Sequence, residues 1–439
     1  MARISTGPII RALVVENPHP SLDDLLREDG VEVVRFAGSP GEDELIRLMR
    51  QHRSQALFKR SRVEVTQRVI QECPELLAVQ LCCIGDDSVD KGAAADHGVL
   101  VFNDPVSNGR SVVELAIGHL VALSRRLYET DASCRAGDWD KSNTERYEIQ
   151  GKVLGVLGMG NIGRQTARAA EAMGMRVRFF DSREVSVEIG QELGFEACGS
   201  ATELFRSSDA ITVHLSAEDA QGRSNEGVLT AELLSQLGAD RPESSPRLFL
   251  NLARGFLHSA PDLLAAVAAR RIRRAAVDVY PEEPHGREAW KNPYADEPRI
   301  AVTPHIGAAT NEAQPRIARR VATTFRGFSR FGSVRDCVFS PRARLGLIED
   351  GQEGGALLAV AHSTARGTKR AIDEAIFEGG ASNLSSAHKD FEHLGVAYDL
   401  AALDAPLSRE ALDKLVLRAR SISGDPSAIR SVRQILIRA

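Results

Sequence analysis

The chain has 439 residues, 43% of them hydrophobic and 26% charged, with 18 prolines and a formal net charge of −5. That length predicts two or three domains. The acidic balance offers no basic field for nucleic acid, and no apolar run approaches the length of a membrane span. Six cysteines (73, 82, 83, 134, 198 and 337) have neither paired spacing nor a CxxC, so reduced thiols in the cytoplasm are expected. Near the N-terminus, Ile9-Ile10 and Leu13-Val14-Val15 are split by Arg11, too short for a signal-peptide core. In chain order, residues 12–103 alternate strand and helix. Strands are predicted at Ala12 to Glu16, Val31 to Phe36, Ala56 to Lys59, Leu77 to Ile84 and Leu100 to Phe102. Helices are predicted from Ser21 to Arg27, Glu42 to Met49, Val65 to Glu72 and Asp90 to Ala95. This is a complete α/β domain.

Ser111 to Leu127 reads as a long apolar helix, expected to connect domains. From Gly151 to about Val302 the strand spacing predicts a second doubly wound sheet, with strands at 153–157, 176–180, 210–214, 247–251, 274–279 and 299–302. Thr310 to Phe331 reads as one amphipathic helix returning to the first domain, and Arg342 to Gly355 as a linker. The remainder reads as strand 356–361, helix 367–377, strand 381–388, strand 396–402, helix 408–419 and strand 431–437. That order is βαββαβ, a ferredoxin-like module. The predicted fold class is α/β, two doubly wound parallel-sheet domains followed by this module.

A glycine fingerprint, Gly158-Met159-Gly160-Asn161-Ile162-Gly163, follows the apolar run Val153 to Leu157. It opens an Ala-rich helix, after which a strand from Arg176 to Phe180 ends at Asp181. Strand, tight turn, helix, strand and acid make up the context of a dinucleotide site. The first glycine permits the turn, the second admits the pyrophosphate, and the third lets helix pack on strand. The helix N-terminus offers N–H groups to phosphate. Asp181, roughly twenty residues past the glycines, would accept from ribose hydroxyls and repel a 2′-phosphate, favouring NAD.

Hydride chemistry also needs a proton donor or acceptor and a cation for the substrate. Arg254, Glu283 and His305 stand at or just beyond predicted strand ends, where ligands bind in doubly wound sheets. Arg254 offers a bidentate fork for an α-keto acid, and His305 titrates in a useful range beside a carboxylate such as Glu283. Spacing alone leaves plainer roles open: a surface arginine, a helix-start charge and a core imidazole. His214, ending the strand Ile211-Thr212-Val213, either lines the cofactor site or serves structure.

The motifs Asn251-Leu252-Ala253-Arg254-Gly255, Val277-Asp278-Val279-Tyr280-Pro281-Glu282-Glu283-Pro284 and Thr303-Pro304-His305-Ile306-Gly307 resemble, in order, the signatures of the D-isomer-specific 2-hydroxyacid dehydrogenases. Arg60-Ser61-Arg62, Ile84-Gly85, Asn103 to Leu115 and Gly137-Asp138-Trp139-Asp140-Lys141 extend the likeness over about residues 12–340. The resemblance implies a Rossmann cofactor domain (109–302) inserted in a flavodoxin-like substrate domain (1–108 and 303–341), with an interdomain active site. It implies that Arg254 holds the substrate carboxylate and carbonyl, His305 is the acid/base, and Glu283 supports it. NAD contacts would fall to Gly158, Gly160, Asn161, Ile162, Gly163, Asp181, His214, Ala253 and Asp278, the last facing the nicotinamide carboxamide. Substrate contacts would fall to Arg60, Ser61, Arg62, Gly85, Asn108, Arg110 and Lys141.

A phosphate wants several cations, and these arginines and Lys141 favour a phosphorylated D-2-hydroxy acid, D-3-phosphoglycerate, over an unphosphorylated one. Rival readings are a reductase of glyoxylate, hydroxypyruvate or 2-oxoglutarate, or an NAD(H)-sensing regulator without turnover. A homodimer or homotetramer is expected, with no metal, nucleic acid or membrane. Residues 356–439 resemble an ACT domain, with His362 and Asn383 at the positions of effector ligands, which implies L-serine as an effector. The usual Asn-x-Pro-Gly turn, however, reads Thr364-Ala365-Arg366-Gly367. After Arg254-Gly255 the usual Val-Asp is replaced by His258-Ser259, where Ser259 can still cap the next helix. The loop from Ala239 to Pro246 reads as a surface insertion.

Overall fold

The computed structural model describes residues 2–219, 221–284, 290–340, 344–347 and 355–437. The chain divides into two compact units, one joining residues 1–105 to 314–439, the other holding 106–313.

In the first unit, a parallel sheet has the order Glu32–Arg35, Arg11–Val14, Ala56–Lys59, Ala78–Leu81, Leu100–Phe102. This is the flavodoxin-like order, 2-1-3-4-5. Strands Ala56–Lys59 and Ala78–Leu81 are buried throughout, as the middle of a sheet covered on both faces requires. The returning helix, Ala313–Phe331, packs here: Phe325 meets Phe58 and Phe328 meets Phe102, each with ring centroids 5.0 Å apart.

The same unit contains the ferredoxin-like module, and its sheet has one strand more than the sequence predicts. Its order is Arg3–Thr6, Ile429–Leu436, Ala356–Ser363, Val396–Leu403, Asn383–Phe391. Arg3–Thr6, assigned from sequence to the substrate domain, instead runs parallel to Ile429–Leu436, with Arg3 opposite Ser431. The buried Arg3 guanidinium donates to the carbonyls of Ile70, in helix Gln67–Glu72, and of Cys73 and Leu76 just beyond it. Further ties bind module to substrate sheet: Tyr398 donates to the Gly332 carbonyl at 2.8 Å, Ser431 to that of Gly98 at 3.0 Å, and buried Arg433 to that of Ser329 at 2.9 Å. Most of the expected linker, 342–355, lies outside the described residues.

The second unit is built on a seven-stranded parallel sheet. Its order is Ile300–Val302, Arg274–Val277, Leu248–Asn251, Ala210–Val213, Val153–Leu157, Arg176–Phe180, Glu196–Ala197. The six expected strands are present; the seventh, Glu196–Ala197, is too short to leave a periodic signal. Strand order reverses beside Val153–Leu157, the switch point where doubly wound sheets bind ligands. Helix Gly109–Arg125 is not a bare connection. Its Val112, Ala116, Leu120 and Leu123 share a core with Leu154, Val156, Ala167 and Ala170. Among the described residues no helix is long and apolar enough to cross a membrane.

Candidate active site

The fingerprint turn is held by close packing that only glycine permits. Gly158 has φ 95°, and a Cβ there would stand 2.7 Å from the His214 carbonyl oxygen. A Cβ on Gly163 would stand 2.0 Å from the carbonyl oxygen of Gly158. Gly160 differs: an added Cβ would meet only an Arg183 guanidinium nitrogen, at 3.5 Å. The chain therefore leaves open space at the second glycine, as backbone approach to a pyrophosphate requires. Helix Asn161–Ala172 starts there without a side-chain cap, and its positive dipole end favours a phosphate. Asn161 and Ile162 form its first turn, Ile162 packing on the core below.

Asp181 ends the second strand with its carboxylate almost fully buried. Oδ2 accepts from the Met159 amide at 2.8 Å and Oδ1 from the Arg183 amide at 2.9 Å, while the Arg183 guanidinium also reaches both oxygens. The acid thus braces the glycine turn, and half-exposed Arg183 offsets part of its charge. Partly buried His214 donates or accepts at 3.0 Å with the Thr212 hydroxyl, and burial pushes its pKa down to about 4. It is a neutral wall of the turn. These residues fit a dinucleotide.

Arg254, Glu283 and His305 leave the carboxyl ends of three adjacent strands, Leu248–Asn251, Arg274–Val277 and Ile300–Val302. His305 Nδ1 lies 2.9 and 2.8 Å from Glu283 Oε1 and Oε2, which fixes Nδ1–H as donor and leaves Nε2 for proton transfer. His305 adopts φ 55°, a left-handed conformation that costs a side-chain-bearing residue about 1–3 kcal/mol. Asp278 holds that loop. Its fully buried carboxylate accepts from the Thr303 hydroxyl at 2.6 Å and from the Ile306 and Gly307 amides, each at 2.8 Å. Asp278 therefore positions the His305 loop, and Oδ2, with a single hydrogen bond, keeps acceptor capacity for a further donor.

Arg254 is set by a second network. Asn251 Nδ2 donates to the Arg254 carbonyl at 2.9 Å and to His258 Nδ1 at 3.1 Å, and His258 Nε2 meets the Tyr294 hydroxyl at 2.9 Å. The Ala253 amide donates to Asn251 Oδ1 at 3.1 Å, so Ala253 belongs to this turn, and its carbonyl accepts from Arg254 Nη1 at 2.9 Å. Burial pushes the His258 pKa down to about 4. Gly255 is required because a Cβ would lie 2.0 Å from the Tyr280 backbone, the stretch leading to Glu283. Ser259 caps helix Ala260–Ala268, as expected.

The first unit brings Arg60, Ser61, Arg62 and Gly85 to one edge, beyond the paired strands Ala56–Lys59 and Ala78–Leu81. Buried Glu16 organises it, accepting from the amides of Arg60 and Arg62 at 2.6 Å and of Val63 at 2.9 Å. Asn103 donates to the Ile84 carbonyl at 2.6 Å and Cys83 Sγ to that of Gly85 at 3.2 Å, fixing the adjacent loop. Of the other predicted residues, buried Asn108 precedes helix Gly109–Arg125, Arg110 pairs with Glu114 at 2.6 Å, and Lys141 is exposed beside Trp139. His362 and Asn383 are not brought together. His362 pairs in register with Ala397 and Asn383 with Leu403, at opposite ends of one strand. Sequence reasoning overlooked Glu16, Asn103 and the Asn251–His258–Tyr294 network. Glu16 carried a signal, an acid just beyond a strand end; Tyr294 carried none.

Residues 117–307 match the D-isomer specific 2-hydroxyacid dehydrogenase NAD-binding domain. The chain is 30% identical over 418 residues to D-3-phosphoglycerate dehydrogenase 2 of Saccharomyces cerevisiae, covering 93% of this chain and 85% of the relative. It is 32% identical over 409 residues to D-3-phosphoglycerate dehydrogenase of Escherichia coli, covering 92% and 94%. A solved glyoxylate reductase from Paecilomyes thermophila shares the fold, with a TM-score of 0.64, 22% identity and 75% and 98% of the two chains covered. The matched domain, the dinucleotide turn and the His305–Glu283 pair agree, and the chain belongs to the D-isomer-specific 2-hydroxyacid dehydrogenases, enzymes that use NAD.

Proposed function

We propose that this enzyme oxidises D-3-phosphoglycerate to 3-phosphohydroxypyruvate, the entry step of L-serine biosynthesis. The observation that carries the reading is the His305–Glu283 pair on the sheet edge that also presents Arg254. The names of the relatives add the phosphorylated substrate. His305 Nε2 takes the C2 hydroxyl proton, and Glu283 stabilises the imidazolium that forms. NAD, when bound, supplies the acceptor for the C2 hydride. Arg254 holds the substrate carboxylate and the developing carbonyl through its fork. Asp278 keeps the His305 loop in its strained conformation, so the acid/base is placed before substrate arrives. Arg60 and Arg62, with backbone fixed by Glu16, supply positive charge for the phosphate, as do Arg110 and Lys141. The six free thiols suit a reducing cytoplasm, where we place the enzyme.

The test follows NADH absorbance with 3-phosphohydroxypyruvate, for the wild type and His305→Ala. Rapid oxidation that falls roughly 10²- to 10⁴-fold in the variant is expected. NADH binding without oxidation of this keto acid would reject the phosphoglycerate assignment.

A further inference from the structure

Three chemistry-bearing side chains of the C-terminal sheet take no part in the dehydrogenase reading. His388 and Asp399 stand directly opposite one another on strands Asn383–Phe391 and Val396–Leu403. His362, at the end of Ala356–Ser363, is diagonal to Asp399, and a bulge against strand Ile429–Leu436 falls between Ala361 and His362. His362 Nε2 lies 2.8 Å from Asp399 Oδ2, and His388 Nδ1 lies 2.9 Å from Asp399 Oδ1. One ligand atom from each residue falls within 4.8 Å of the others. His362 and Asp399 are both buried.

The remote ring nitrogens decide what this cluster wants. His362 Nδ1 faces the Ser363 carbonyl at 2.7 Å, and His388 Nε2 faces Asp390 Oδ1 at 3.1 Å. Both partners only accept, so each remote nitrogen carries its hydrogen, and in a neutral ring the near nitrogen carries a lone pair. Both lone pairs then point at the Asp399 carboxylate, itself an acceptor. Two added protons satisfy that arrangement, and so does one divalent cation. A carbonyl or carboxylate behind each histidine is also how metal-ligating imidazoles are oriented.

We propose that His362 Nε2, His388 Nδ1 and the Asp399 carboxylate form a divalent-cation site of zinc-type chemistry, with a fourth position for water. Nitrogen and oxygen ligands about 2.0–2.1 Å from a tetrahedral zinc stand roughly 3.3 Å apart, so the contacts open by a few tenths of an ångström to admit it. Lys369 Nζ, 2.9 Å from Asp399 Oδ1, competes for the carboxylate. It has an alternative in Asp373, 3.7 Å away on the same helix, to which it turns when the cation enters. The ion clips three adjacent strands of the module together. This proposal is independent of the substrate assignment.

Full-length protein stripped of metal is dialysed against micromolar Zn²⁺, and Co²⁺ absorption reports the ligand set. The wild type takes up one zinc per chain beyond His388→Gln, and Co²⁺ gives a band without thiolate charge transfer. Asp390→Ala, which removes the acceptor behind His388, binds ~10- to 100-fold more weakly. Lys369→Gln binds more tightly than wild type. If His388→Gln does not fold by circular dichroism, Lys369→Gln carries the test: tighter binding supports the site, and unchanged binding overturns it. Equal uptake by wild type and folded His388→Gln, or uptake by neither, also overturns it.

Discussion

His258 departs from the family pattern four residues beyond Arg254, and its burial makes its protonation a stability term. A free imidazole has a pKa of ~6.5. Burial pushes that of His258 down to about 4. Below about pH 6.5 the unfolded chain binds a proton that the folded chain refuses until pH falls through about 4. Stability from this group is therefore complete above the unfolded value and is lost as pH falls across that window. Between about pH 7.5 and about pH 5 the loss is about 2 kcal/mol. His258→Gln removes the titration while keeping a side-chain amide between Asn251 and Tyr294, at a pH-independent cost of about 1–3 kcal/mol. His214, held down to about 4 by its own burial, titrates alike in both proteins and cancels in the comparison. Both tryptophans, Trp139 and Trp290, belong to the 106–313 unit, and Trp290 lies 4.6 Å from Tyr280. Urea unfolding followed by tryptophan fluorescence at the two pH values therefore reads the relevant unit. Wild type should lose about 2 kcal/mol more than His258→Gln on acidification. Equal losses would refute the assignment of a neutral His258.

Four other outcomes follow from the geometry. Glu283→Gln should lower kcat roughly 10²-fold or more while leaving NADH affinity intact, because the imidazolium loses its counter-charge; single-turnover kinetics check it. Gly163→Ala should destabilise the 106–313 unit by about 1–3 kcal/mol and weaken NADH binding, since its Cβ meets the Gly158 oxygen; an unchanged melting temperature and NADH Kd would count against this. Glu16→Gln should cost about 1.5 kcal/mol of loop fixation, seen as a roughly tenfold rise in KM for the phosphorylated keto acid with NADH affinity unchanged. Arg3→Met leaves the Ile70 and Leu76 carbonyls without this donor, while that of Cys73 keeps the Leu76 amide, and should lower stability by about 2 kcal/mol and speed amide exchange in Ile429–Leu436 first.

The dinucleotide turn was legible because its causes are local. Strand, glycines, helix and Asp181 follow one another within about thirty residues, and the packing that demands Gly158 and Gly163 lies around that turn. The trio proposed for catalysis was legible only in part. Strand-end placement nominated Arg254, Glu283 and His305, the family likeness gave them roles, and the structure added the direct His305–Glu283 contact. For Asp278 the structure added a second duty, because its carboxylate accepts from Thr303, Ile306 and Gly307.

By itself the sequence determined the α/β rhythm, the two doubly wound sheets and the nucleotide site, since these rest on hydrophobic periodicity and nearest-neighbour turns. Tertiary structure alone decided what depends on residues far apart along the chain. It sent Arg3–Thr6 to the far end of the chain to close an edge beside Ile429–Leu436, a pairing four residues cannot encode alone. It hung the Arg60–Val63 loop on Glu16, and it set His362, His388 and Asp399 atom to atom across three strands. A strand's register aligns side chains that no spacing in sequence relates, and hydrogen-bond valence then fixes what each of them can hold.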